Sequence, residues 1–97
     1  MKWLDLPTIK AHLRITEDYE DELLTLYGNS AEETMQQYLG RTYEDIIEEY
    51  SSVPVNVKHA SLMLVDAAYK HRAPMSPENM NLVPYTFDVL VKPYVRL

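Results

Sequence analysis

Apolar positions recur at helical spacing along most of this chain, and the clearest stretch is Val57 to Arg72, VKHASLMLVDAAYKHR. Residues 57, 60, 64 and 68 mark one face, while 62, 63, 65 and 69 carry apolar surface around most of the circumference. A helix of this kind must be covered on several sides, so it is predicted to be the buried centre of the fold. Pro54 precedes it, Pro74 stops it, and Lys70, His71 and Arg72 place cations at the negative end of its dipole.

The remaining elements follow from spacing and punctuation. Asp5 before Leu6 and Pro7 caps a short helix to about Leu13, with Leu6, Ile9 and Leu13 as its stripe and Trp3 packed beneath it. Asp18 and Asp21 resemble a capping arrangement that opens a second helix from about Tyr19 to Leu39. Its stripe is read as Tyr19, Leu23, Tyr27, Ala31, Met35 and Leu39, widened by Leu24, Leu26 and Tyr38, with Gly40 as the stop. Gly28 is the weak point, since glycine costs about 1 kcal/mol inside a helix and Ser30 with Glu33 offers an alternative start. Continuity through Gly28 is the favoured reading. Thr42 with Asp45 starts a third helix to about Tyr50, and a last one spans Pro84 to Val91 with Phe87, Leu90 and Val91 inward before Pro93. No strand pattern or repeat emerges. The expected fold is an all-α bundle of about four to five helices around the buried helix 57–72, forming a single domain over residues 1–97.

Composition narrows the chemistry. A 46% hydrophobic and 25% charged chain of 97 residues has enough apolar surface for one core. With no cysteine, disulfides, thiolate metal sites and cysteine nucleophiles are excluded. The start, MKWLDLPTIK, lacks the apolar core of a signal peptide, and no apolar run reaches the roughly 20 residues that cross a bilayer, so no membrane association is expected.

The run Glu17, Asp18, Tyr19, Glu20, Asp21, Glu22 lacks the glycine and alternating ligands of an EF-hand and reads as a solvated helix start. His12, His59 and His71 are too scattered for a helical metal pair. The serines sit in no nucleophile elbow, and Gly28 and Gly40 make no phosphate loop, so neither an enzyme nor a cofactor site is predicted. Tyr27, Tyr38 and Tyr69 fall on or beside apolar stripes and read as core residues with surface hydroxyls; Tyr43, Tyr50, Tyr85 and Tyr94 lie in short or terminal elements suited to packing or to protein contacts.

Charge is uneven. Of a net −6, residues 1–50 hold twelve acids against four cations, a net −8, and residues 51–97 hold five cations against three acids, a net +2. Such a balance lacks the concentrated basic surface of a duplex-binding module. It permits head-to-tail attraction between copies, although an acidic bias more often just solvates a helical surface.

The ordered segments IKAHLRI, DELLTLYGNSAEETMQQYLGR, VPVNVKHASLMLVDAAYKHR and VPYTFDVLVKPYVRL together resemble the head-tail connector family of tailed bacteriophages and prophages, also described as DNA-packaging proteins. The resemblance spans nearly the whole chain. It implies a small helical, non-enzymatic virion protein, assembled in the bacterial cytoplasm and placed at the virion neck. Such a protein forms a homo-oligomeric ring beneath the portal protein, completes the DNA-filled head and receives tail-side completion proteins, while DNA passes through without specific binding. In a ring each subunit presents two different surfaces. The charge split then nominates an acidic face of Glu17, Asp18, Glu20 and Asp21 to meet a basic face of Lys70, Arg72, Lys92 and Arg96. The competing reading is a small helical regulator or adaptor of the host cell, whose DNA-binding form is disfavoured by the missing basic recognition helix.

Overall fold

The computed structural model describes residues 1–71 and 86–96, and among these it contains five α-helices and no strand. Arg72 and the prolines at 74, 77 and 84 lie outside the described residues, so the readings placed on them have no structural counterpart. The all-α bundle expected from the sequence is the observed fold.

Helix α1 (Leu6–Leu13) opens as its sequence dictates: the Asp5 carboxylate accepts the Thr8 N–H at 2.8 Å, and Pro7 occupies the first turn, where no partner is needed. It closes through Arg14, a non-glycine residue at φ 60° whose N–H bonds back to the last turn. Helix α2 (Asp21–Leu39) runs without a break through Gly28 and ends on Gly40 at φ 69°, a left-handed conformation that glycine adopts without steric cost. Helix α3 (Tyr43–Tyr50) has a complete capping box, in which the Thr42 hydroxyl accepts the Asp45 N–H at 3.1 Å and Asp45 accepts the Thr42 N–H at 3.0 Å. Helix α4 spans Val55–His71 and α5 spans Thr86–Val91, followed by a 3₁₀ turn at Lys92–Tyr94 that carries Pro93.

Two expectations require correction. The start of α2 is not capped by Asp18 or Asp21; its N-cap is Glu20, with no side-chain capping bond, because both aspartates turn to Lys10. The inward stripe of α2 is also rotated from the one expected. Leu24, Gly28, Ala31, Met35 and Leu39 are buried, whereas Tyr19 before the helix is 81% and Leu26 on it 58% exposed. A strict spacing of four advances about 40° beyond a full turn at each step, so a run of five such steps wanders roughly 200° around a helix. The stripe that stays on the core mixes spacings of three and four.

The core sits where α2 and α4 pack, with α1 and α5 against them. All four inward positions read for the central helix, Val57, Ala60, Leu64 and Ala68, are buried, and Val65 joins them. Ile9 from α1, Ile46 from α3, and Phe87 and Val91 from α5 complete the cluster. Each such fully buried side chain contributes about 1.5–3 kcal/mol of transfer free energy. Trp3 packs half-buried against this cluster. Its indole N–H donates to Ser61 of α4 at 3.0 Å, and its ring stacks on Tyr43 of α3 at 6.2 Å, so it bridges those two helices.

Candidate assembly surface

The nominated acidic residues gather where α1 meets α2. Lys10 reaches from α1 between Asp18 at 2.7 Å and Asp21 at 2.9 Å. These bonds, that of Asp18 foremost, hold the Lys10 ammonium above the usual lysine range, and Lys10 in turn draws the Asp18 carboxyl below its ordinary value. Glu20 accepts the Tyr69 hydroxyl at 2.7 Å and so ties the start of α2 to the last turns of α4. Three of the four nominated acids therefore have partners inside the chain, and Glu17 faces solvent. Asp18 still presents an outer edge, its side chain 87% exposed.

Each nominated cation in the described structure has its own surroundings. Lys70 pairs with Asp66 one turn back at 3.3 Å, Lys92 lies exposed in the 3₁₀ turn, and Arg96 reaches Asp45 of α3 at 3.7 Å. Arg72 is outside the described residues. Among the described residues, no group of three or more His, Asp or Glu side chains is placed to hold a metal, and no helix is long and apolar enough to cross a membrane.

The strongest polar geometry lies where no site was expected. Glu32, in the middle of α2, is 4% exposed, and its carboxylate accepts three successive backbone N–H groups from the N-terminal segment: Lys2 at 2.7 Å, Trp3 at 2.9 Å and Leu4 at 2.7 Å. Consecutive amides turned toward one anion form a small positive concavity. Hydrogen bonds to a charged acceptor are the stronger kind, and three of them offset the cost of burying the carboxylate. Gly28 lies one turn earlier on the same helix. A Cβ built there would run into the Met1 sulfur and stand 2.9 Å from Ile9 Cδ1, so the bare backbone at Gly28 is what admits the segment.

The other end of the chain is seated by Arg41. Its Nε donates to the Tyr94 carbonyl at 2.8 Å, its guanidinium pairs with Glu49, and it lies over the Tyr50 ring at 5.7 Å, with a side chain only 11% exposed. Arg96 adds a main-chain bond to the Leu39 carbonyl at 2.8 Å, and Tyr94 meets Tyr50 edge-on at 5.4 Å. Tyr38, the penultimate residue of α2, donates to Asp88 of α5 at 2.8 Å. Burial first, and then that bond, push the Tyr38 phenol above its usual range.

These arrangements position the chain on itself. The described residues form a small all-α bundle whose polar contacts tie residues 2–4 and 94–96 to its helices. The chain belongs to the phage gp6-like head-tail connector family, whose sequence model matches residues 4–94. No curated protein and no solved structure matches it. The family is a structural one, its members work alongside other head and tail proteins, and a place in the phage virion follows.

Proposed function

We infer that this protein assembles with copies of itself into a ring between the portal and the tail-side proteins, where it completes the DNA-filled head. The family match over residues 4–94 carries this reading, because it covers the whole bundle rather than one motif. Each subunit presents its acidic corner, Glu17 and Asp18 with Glu20 and Asp21 behind them, to the cationic groups of its neighbour: Lys70, Arg72, Lys92 and Arg96. The exposure of Glu17, of the outer edge of Asp18 and of Lys92 supports it, since exposed groups remain available to a second chain. Acidic groups left on the channel side repel phosphate, so DNA passes without sticking. Assembly takes place in the bacterial cytoplasm before the tail joins.

Mass measurement of the particle assembled from the purified chain tests the ring, and a particle that stays monomeric in the presence of portal protein overturns it. Reversing Glu17 and Asp18 to lysine weakens assembly, and adding Lys92→Glu and Arg96→Glu restores part of it. Assembly unchanged in extent and in salt dependence rejects this pairing while leaving the ring intact. Tight binding of duplex DNA by the isolated protein at physiological salt contradicts the channel reading.

A further inference from the structure

Helix α3 has an unusual support. At eight residues it is too short to hold helical structure alone. Ile46 is its one fully buried side chain, with Ile47 half-buried. Beyond a bond from the Tyr43 N–H to the Gln36 side-chain oxygen of α2 at 2.9 Å, its described contacts come from residues 2–3, residues 94–96 and Arg41. On one side Trp3 stacks on Tyr43 with ring planes 14° apart, and Lys2 lies 5.4 Å over the Tyr43 ring and 3.6 Å from Glu44. On the other side Arg96 meets Asp45, Tyr94 meets Tyr50, and Arg41 holds Glu49, Tyr50 and the Tyr94 carbonyl at once. The first side is anchored by Glu32, the second by Arg41 and the Leu39 carbonyl.

We propose that α3, residues 2–4 and residues 94–96 form one cooperative unit that opens without unfolding the α1, α2, α4 and α5 core. This goes beyond the ring reading, because it concerns how the free subunit couples its two ends. Removing either end strips α3 of one set of contacts, and a helix this short then melts and releases the other end. The coupling is reciprocal: whatever captures residues 2–4 weakens the seat of residues 94–96, and the reverse holds equally. The core is spared because the main helix packing, α2 on α4, α1 on α2 and α5 on α4, does not pass through α3. A neighbouring subunit or virion protein that takes one end would thereby expose a fresh surface at the other.

Native-state amide hydrogen exchange on the full chain tests this. Arg41→Ala, at the C-terminal seat, is expected to raise exchange at least tenfold at residues 46–51 and also at Trp3 and Leu4, whose amides bond to Glu32 on the opposite side. Glu32→Gln is expected to raise it at residues 46–51 and at Arg96, whose amide bonds to Leu39. In both variants the amides of Met35, Leu64 and Val65 stay within about twofold of the parent. If exchange at the far end does not change, the ends are independent and the proposal fails. If core and terminal amides accelerate together, there is no separate unit and it fails equally. Should Glu32→Gln not fold, Arg41→Ala decides alone, since Arg41 lies outside the closed core cluster.

Discussion

Gly28→Ala sets two effects of known size against each other. Alanine favours the middle of a helix over glycine by about 1 kcal/mol, so on propensity alone the substitution stabilises α2. The structure opposes it. The added Cβ would collide with the Met1 sulfur and lie 2.9 Å from Ile9 Cδ1, inside the approach that real atoms tolerate. Met1 is 39% exposed and unbranched, so it swings aside at little cost. Ile9 is fully buried and has nowhere to go, which makes it the decisive contact. Overpacking of this kind costs about 1–3 kcal/mol, leaving a net destabilisation of roughly 1 kcal/mol. Urea denaturation followed by helical circular dichroism measures it; for a domain of this size 1 kcal/mol also lowers Tm by about 4–8 °C. Ile9→Val sharpens the test by deleting the colliding methyl. Alone it costs about 0.5–1.5 kcal/mol, but combined with Gly28→Ala the space it vacates is filled, so the double variant is more stable than the two single losses predict by about 1 kcal/mol. A rise in stability from Gly28→Ala alone, or strict additivity with Ile9→Val, refutes the reasoning.

Other substitutions follow from the same structure. Leu64→Asp buries an unpartnered charge at a core position and abolishes folding; a folded variant that lost only partner binding would move Leu64 from core to interface. Thr42→Ala removes the α3 cap and costs about 1 kcal/mol by chemical denaturation, and an unchanged midpoint would show that the capping box contributes nothing. Asp5 and Asp45 are lowered by the backbone N–H groups of Thr8 and Thr42, and Asp18 by Lys10. Their contributions are complete above the ordinary carboxylate value and fade as pH falls through the lowered ones, so thermal melts hold level from pH 7 to about 5 and decline below about 4. Asp45→Asn flattens part of that decline. Tyr38 behaves in the opposite sense: its raised value means that stability is complete below the ordinary tyrosine range and is lost as pH rises through the raised one, a loss that Tyr38→Phe removes.

The helices were legible because their signals are local. Asp5 with Pro7, Thr42 with Asp45, and Gly40 each act within a turn of where they stand, and the structure uses all three as their chemistry directs. The stripe of α4 was legible because a helix apolar on most sides leaves little choice of inward face. The stripe of α2 was not, because its apolar and polar residues admit two registers, and the true one buries Gly28 and Glu32 in place of Tyr19 and Leu26. Nothing local marks Glu32 as inward. Its partners lie 28 to 30 residues away and are main-chain groups that every sequence supplies, so the bonds leave no trace in residue type. The available signal was Gly28, whose cost in a helix interior asks for a close neighbour on the same face, one turn from Glu32.

Charge shows the same limit more sharply, and it bears on assembly. A net −8 against +2 reads as two faces free to attract, yet Lys10 takes up Asp18 and Asp21, Lys2 reaches Glu44, Arg41 takes Glu49 and Arg96 reaches Asp45. The cations of the first half are thus largely engaged by its own acids. Among the described residues, exposed Glu17, Glu22, Glu33 and Glu48 remain on the acidic side, with Arg14, Lys58 and Lys92 on the other. Charges this exposed interact through water and are screened within about 8–10 Å at physiological salt. They set encounter rate and orientation between copies more than the strength of the final contact. Raised salt should therefore slow assembly of the proposed ring far more than it speeds disassembly, which stopped-flow light scattering can separate. Dissociation accelerating with salt as steeply as association slows would place desolvated ion pairs at the interface, and the intramolecular pairs at Lys10 and Arg41 would then have to exchange partners on assembly.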